Sequence, residues 1–166
     1  STHEVLAGKV TEFSNDPTGD DHGTAVASVA AGNLPGVFVG TAPDADILFG
    51  TFQSDKDLAD LGREALRLEA VAWNNSWGYV DPGTSDTIFA DEQTFRDFFV
   101  TSASGADYLD ALKDYAAYGV VVFAMSNSES DRNAGLMDAL PLFDHSLEAG
   151  WLAVVNGVPT FQNGSV

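Results

Sequence analysis

One histidine in this sequence stands directly before a run of small residues, and it is the residue best suited to acid–base chemistry. His22 is followed over 23–31 by Gly, Thr, Ala, Ser and Val only. Gly32 and Pro35 close the run, which predicts one short helix with His22 at its amino-terminal end. A neutral imidazole is the usual general base near neutral pH, because it can both take up and return a proton there.

A histidine base needs two partners, a carboxylate that orients the ring and a hydroxyl or thiol within hydrogen-bond reach. The chain has no cysteine, so a thiol nucleophile and thiolate zinc sites are both excluded. Asp20 and Asp21 precede His22, but they are better placed to interact with the helix amino terminus than to orient the ring. The alternative interpretation is a histidine that only caps the helix or is exposed at its end.

The pattern of small residues also predicts how this helix packs. Ala25, Val29 and Gly32 share one face at helical spacing, and Val26 and Ala30 lie beside that face. We therefore expect a helix that is buried on most sides.

Asn127 is the second candidate for chemistry. It follows the most strand-like run of the chain, Val-Val-Val-Phe-Ala at 120–124. A side-chain amide fixed at such a strand end can donate to an oxygen that becomes negative in a tetrahedral intermediate, which is worth about 3 to 4 kcal/mol. An isolated asparagine is more often a turn residue, and that interpretation stays open at this point.

Strand and helix patterns alternate along the chain. Strands are predicted at 47–52, 70–76, 120–124 and 151–155, and amphipathic helices at 56–69 and 105–118. A helix-like face is also predicted over 91–99, and a partly helical stretch over 136–147. Such alternation predicts parallel strands joined by right-handed crossovers, hence an α/β three-layer sandwich with a mainly parallel sheet.

In a parallel sheet of this kind, ligands bind at the carboxyl ends of the strands. Ser76, Trp77 and Gly78 follow the strand predicted at 70–76, and Asn127 follows the one at 120–124. We therefore expect these residues to lie on one rim of the sheet.

Four segments carry a resemblance to a known family. His-Gly-Thr-Ala-Val-Ala-Ser at 22–28 resembles the His-Gly-Thr-x-Val-Ala segment of subtilisin-like serine proteases, the subtilases or peptidase S8 family. The segment at 40–48 resembles the family's Gly-x-Ala-Pro-x-Ala turn that enters a strand. Asn-Asn-Ser-Trp-Gly at 74–78 resembles its Asn-x-Ser-x-Gly segment, and 118–127 resembles the strand ending in its oxyanion-hole asparagine. The four segments occur in the family's order over most of the chain.

The resemblance implies a role for each of these residues. His22 would be the general base of a serine endopeptidase and Asn127 the oxyanion donor. Ser76, Trp77 and Gly78 would form a cleft wall whose backbone pairs with an extended peptide substrate. For Trp77, an ordinary place in the core is an equally good interpretation.

The family's serine segment, Gly-Thr-Ser-x-Ala, has no counterpart in the sequence. We therefore expect residues 1–166 to be the central part of a subtilisin-like peptidase domain that lacks the segments carrying the triad aspartate and serine. Such a chain is expected to be inactive by itself. The alternative is a non-catalytic pseudoprotease or peptide-binding module. A nucleotide-binding domain is disfavoured, because neither Gly-x-Gly-x-x-Gly nor a P-loop occurs.

The charge of the chain limits its partners. Seven basic and 25 acidic residues give a formal net charge of −18, which excludes phosphate-backbone binding and disfavours anionic membrane surfaces. No apolar run is long enough to span a bilayer. No cofactor is expected; calcium binding near Asp16, Asp20 and Asp21 is conceivable, but the spacing defines no site. The resemblance implies a secreted or cell-surface protein, and an incomplete sheet predicts self-association through exposed edges.

Overall fold

The computed structural model describes residues 3–13, 21–125 and 134–155. The strands in these ranges are β1 (Val10–Glu12), β2 (Asn33–Leu34), β3 (Phe38–Val39), β4 (Ile47–Phe49), β5 (Ala72–Asn75), β6 (Val120–Ala124) and β7 (Trp151–Val154). The α-helices are α1 (Asp21–Ala31), α2 (Asp55–Arg67), α3 (Glu92–Phe95) and α4 (Ala103–Ala116). Helices combined with mainly parallel strands confirm the predicted α/β class.

The strands pair in three groups. Strands β1 and β4 are parallel, with Val10 opposite Ile47, and β2 and β3 form a small antiparallel hairpin. Strands β5, β6 and β7 form a parallel sheet in that order. The bounds of β6 agree with the predicted 120–124, whereas β4, β5 and β7 are shorter than the runs predicted for them.

The sheet β5–β6–β7 has two faces of different exposure. Its inner face is formed by Trp73, Asn75, Val121, Phe123, Trp151 and Ala153. Its outer face is formed by Ala72, Asn74, Val120, Val122, Ala124, Leu152 and Val154. The inner face carries the main core, since Trp73, Val121 and Phe123 are buried with residues of α2 and α4.

Helix α2 lies close to the inner face because one of its residues has no side chain. A Cβ added at Gly62 would lie 2.4 Å from the indole ring of Trp73. The ring therefore occupies the space that a side chain at 62 would fill. On its other side the same indole meets Tyr115 of α4 edge to face, with ring centroids 5.5 Å apart.

Polar residues at both ends of α2 stabilise the helix. Ser54 caps the helix by accepting from the backbone N–H of Asp57. Asp55 and Asp57 in the first turn and Arg67 in the last turn complement the helix dipole. The helix begins one residue before the predicted range of 56–69 and ends two residues before the end of that range. Just beyond the helix, Glu69 adopts a positive φ of 56°.

The predicted burial of α1 on most sides is wrong. Ala27 and Ala31 are buried, but Val29 is 61 % exposed and Ala25 and Ala30 are exposed too. The helix packs along one side only, against a small cluster that Ala27 forms with Val5, Leu6 and neighbouring apolar residues. A run of Ala and Val places small apolar residues on every face of the helix, so the sequence pattern does not indicate which face packs against the rest of the protein.

Two other stretches are less regular than a simple helix. The helix-like face predicted at 91–99 is divided into α3 and a π-helical segment, Arg96–Val100, in which Phe99 is buried. The stretch predicted as partly helical contains the 3-10 turns Leu140–Leu142 and His145–Gly150. None of the helices in the described ranges has the length and apolar composition needed to cross a membrane.

Candidate active site

His22 is the second residue of α1 and is exposed. The next residue fixes where this helix end lies, because a Cβ added at Gly23 would be 2.8 Å from the ring of Phe49. Phe49 is the last residue of β4, and its carbonyl accepts from the N–H of Phe13 at 2.9 Å. His22 therefore stands at the carboxyl ends of the parallel pair β1 and β4.

An aromatic contact joins this strand end to the next one. Phe52 lies three residues beyond β4, and its ring centroid is 4.8 Å from that of Trp77. Trp77 follows β5, and its ring also meets Phe123 of β6 edge to face at 5.5 Å. The carboxyl ends of β4, β5 and β6 are thus brought together by packed aromatic rings.

A buried asparagine holds the indole of Trp77 in place. Asn75 is 2 % exposed, and its Oδ1 accepts from Trp77 Nε1 at 3.2 Å. Its Nδ2 donates to the carbonyl of Trp73 at 3.2 Å. Asn75 thus uses both ends of its amide, and Trp77 packs against the core at the end of β5.

Ser76, Trp77 and Gly78 line a pocket with a volume of about 180 Å³. Ala124 and Met125 at the end of β6 form a second side, and residues 135–138 form a third. Backbone pairing holds this third side in place, with Leu136 N donating to Ile88 O at 2.9 Å. The residues predicted to form a cleft wall therefore border an actual concavity.

One wall of the pocket carries a buried acid, Asp138. It is 8 % exposed, and its Oδ1 has no hydrogen-bond partner. Burial raises the pKa of the Asp138 carboxyl above its ordinary value, and nearby backbone amides, including that of Gly135, oppose this shift without cancelling it. A buried carboxylate that lacks a partner is unusual in a folded protein and calls for an explanation.

The other ionisable group at the pocket is structural. Tyr79 donates from its hydroxyl to Asp55 Oδ1 at 2.6 Å, which ties the chain after β5 to the first turn of α2. Burial, together with this hydrogen bond, raises the pKa of the Tyr79 phenol far above its ordinary value. Tyr79 therefore stays protonated and serves as an anchor.

The structure places some predicted site residues at strand ends. His22 lies beside Phe49 at the carboxyl end of β4, and Ser76, Trp77 and Gly78 follow β5, where Trp77 contacts Phe52. The prediction for Asn127 lies outside the described residues. Of the acids considered for calcium only Asp21 lies within them, and the described residues contain no cluster of three acidic or histidine side chains able to hold a metal ion.

Two residues were missed by the sequence reasoning. Asp138 had a usable signal, since it is the only charged residue in the apolar run Leu-Met-Asp-Ala-Leu at 136–140. Asn75 had none, because its burial depends on helices that are distant in the sequence.

Comparison with protein families identifies the family. The subtilase family, peptidase S8, matches residues 2–158. Because this match spans most of the chain, the chain belongs to the subtilase family, and the resemblance seen in the four sequence segments is confirmed. The family assigns a serine peptidase function, the hydrolysis of peptide bonds. Comparisons with curated proteins and with solved structures gave no match.

Proposed function

We propose that this chain supplies the general base and the substrate cleft of a subtilisin-type serine endopeptidase. His22 takes the proton from a serine hydroxyl and later returns it to the leaving amine. Asn127 donates to the oxyanion of the tetrahedral intermediate. Ser76, Trp77 and Gly78 bind the backbone of an extended peptide or protein substrate.

The packing at the strand ends is the observation that carries this proposal. Gly23 contacts Phe49 at the end of β4, and Phe52 contacts Trp77 after β5. Both contacts lie at carboxyl ends of parallel strands, where parallel α/β sheets bind their ligands. A base beside one strand end and a concave wall beside another are two parts that a peptidase cleft needs.

The proposal includes residues 1–166 as the central part of the peptidase domain. Since no Gly-Thr-Ser-x-Ala segment occurs in the sequence, we expect the chain by itself to hydrolyse no peptide. Secretion or cell-surface exposure is part of the same proposal.

Hydrolysis assays test the catalytic part. In a polypeptide that joins this chain to the family's aspartate and serine segments, His22→Ala should lower kcat by several orders of magnitude. His145→Ala is the matched control and should leave kcat unchanged, because His145 is paired with Glu148 in a surface 3-10 turn. Hydrolysis by the 166-residue chain that a fluorophosphonate abolishes would contradict the expected inactivity.

The alternative function is a pseudoprotease that binds peptides in the cleft without cleaving them. The two functions differ in one measurement. A pseudoprotease keeps its peptide affinity while His22→Ala changes no rate, even in a polypeptide with the serine segment.

A further inference from the structure

We propose that a second cavity, beside β6 and β7, binds a small aromatic compound that carries a primary amide. This cavity, which we call the β7 cavity, has a volume of about 380 Å³. It is bordered by Met125 after β6, by Trp151 and Ala153 of β7, and by the turns that contain Asp138 and Leu142.

The β7 cavity is distinct from the pocket beside Trp77. The two share Met125 and Asp138, but Trp77 does not line the β7 cavity and no residue of β7 lines the pocket beside Trp77. The inference therefore goes beyond the proposed function and does not depend on it.

Two polar groups that border the β7 cavity lack hydrogen-bond partners. Within the described ranges, the buried side-chain atoms without a partner are Asp138 Oδ1, Trp151 Nε1 and the hydroxyl oxygen of Tyr108. Tyr108 belongs to the main core, whereas Asp138 and Trp151 both border the cavity. Buried polar atoms almost always have partners, and an unpartnered one is costly. One of the two groups at the cavity is an acceptor and the other is a donor.

Both groups are held in place by the fold. The indole of Trp151 stacks on the ring of Phe123, with centroids 5.1 Å apart and an angle of 15° between the planes. Asp138 is only 8 % exposed, and the backbone around it is fixed by a hydrogen bond from Ala139 N to Gly135 O at 3.2 Å. Groups that are already ordered lose little conformational entropy when a ligand binds.

A primary amide satisfies both groups at once. Its carbonyl oxygen accepts from the indole N–H of Trp151, and its N–H donates to Oδ1 of Asp138. An ammonium group has no acceptor and would leave Trp151 unpaired, while a carboxylate has no donor and is repelled by Asp138. Glu148 at the exposed rim adds little for a cation, because it already pairs with His145 Nδ1 at 2.7 Å.

The rest of the cavity suits an aromatic ring. Its walls include Met125, Pro141 and Leu142, which offer apolar contact. A cavity of about 150 Å³ holds one benzene ring, and sites for small-molecule ligands have volumes of roughly 300 to 1,000 Å³. At about 380 Å³, the β7 cavity has room for a ring and its amide substituent.

NMR titration of the 166-residue chain at pH 7 tests the inference. The probes are benzamide, acetophenone and benzylamine, which keep the ring but present an acceptor with a donor, an acceptor alone and a cationic donor alone. Benzamide should bind at least about 10-fold more tightly than either of the others, because each of them leaves one buried group unpaired.

The indole signals show where the probe binds. Benzamide should shift the indole N–H signal of Trp151, which gains an acceptor. The signal of Trp77 should stay in place, because this N–H already donates to Asn75 Oδ1 at 3.2 Å. Trp77 thus serves as the reference within the same titration.

Two variants remove one partner each. Trp151→Phe keeps an aromatic ring without the N–H, and Asp138→Leu replaces the carboxylate by an apolar group of similar shape. Each should weaken benzamide binding about 10-fold and bring it to the affinity of acetophenone or benzylamine. Asp86→Leu makes the same change as Asp138→Leu at an exposed position outside the cavity and should leave benzamide binding unchanged.

Several results would overturn the inference. Equal affinities for the three probes would mean that the two polar groups select nothing, and tighter binding of benzylamine would make the cavity a cation site. A benzamide titration that shifts the signal of Trp77 and not that of Trp151 would place the ligand in the other pocket. If either variant does not fold, the probe series and the indole signals of the unaltered chain still decide. None of these results affects the proposed peptidase function, which is tested with peptides.

Discussion

The two faces of the sheet β5–β6–β7 are built from similar apolar residues but differ in what covers them. On the inner face Val121 and Phe123 are completely buried under α2 and α4. On the outer face Val120 is 41 % exposed, Leu152 50 % and Val154 47 %. Parallel strands with near-continuous apolar runs are typical of sheets that are covered on both sides. The apolar sequence of these strands therefore suits a sheet with a second layer packed on its outer face, in addition to the elements that the structure describes.

This difference also bears on the active site. The inner face holds Trp77 through Phe123 and Asn75, so the cleft wall depends on the well-packed side of the sheet. His22 belongs to α1, which packs on one side only and is held by the smaller cluster around Val5 and Leu6. We therefore expect the cleft wall to be the more rigid part of the site and the base to be the less rigid part.

The strongest test of the two-face comparison uses neighbouring valines on one strand. Val121→Ala should lower the free energy of unfolding by about 2 to 3 kcal/mol, because it removes buried methyl groups and leaves a cavity. Val120→Ala makes the same change in the same strand on the outer face and should cost less than about 1 kcal/mol. Urea unfolding of both variants measures the difference. Equal losses would mean that the outer face is covered in solution.

A second test concerns Asp138, a buried acid that follows Leu136 and Met137 of the main core. Asp138→Asn should raise the free energy of unfolding at pH 7 by about 1 to 2 kcal/mol, since a buried carboxylate with one unpartnered oxygen destabilises the fold. The folded state holds this proton more tightly than the unfolded state, because burial raises the pKa of Asp138. Stability should therefore fall as the pH rises from the ordinary aspartate range through the raised pKa, and then level off.

Unfolding experiments between pH 3 and pH 8 check this expectation against Asp86→Asn, which changes an exposed acid. A stabilised Asp138→Asn variant would show that this acid does not serve folding. A destabilised variant would instead give Asp138 a structural role.

The smallest expected effect concerns association between chains. The outer face presents apolar side chains, and β5 and β7 each have one edge that pairs with no other strand in the described part of the chain. We therefore expect concentration-dependent self-association in light scattering. Leu152→Lys should reduce it without lowering stability much, because half of this side chain is already exposed. A monodisperse monomer at all concentrations would contradict the expectation.

The sequence predicted most regular elements because each has a local signal. Strand β6 was predicted in full, since a short β-branched run follows directly after Gly119. Helix α2 was predicted within two residues, because its apolar residues recur at helical spacing. The burial of α1 was wrong, because a run of small residues has no distinct apolar face.

The residues of the candidate site were predictable only where they belong to a recognisable sequence motif. His22 and the wall at Ser76, Trp77 and Gly78 came from short segments with family-like patterns, and the structure gives both a place at strand ends. Asp138 stands out in the sequence as a charge within an apolar run, but its burial and its unpartnered Oδ1 depend on tertiary packing, which local spacing does not show.

The central claim is that His22 faces the same cleft as Trp77, and NMR of the 166-residue chain tests it most directly. The chain has three histidines, of which His3 caps a 3-10 turn and His145 pairs with Glu148, so both serve as internal references. When a peptide shifts the indole N–H signal of Trp77, the imidazole signals of His22 should shift with it, while those of His3 and His145 stay in place. A peptide that moves the Trp77 signal and leaves His22 unchanged would contradict the account.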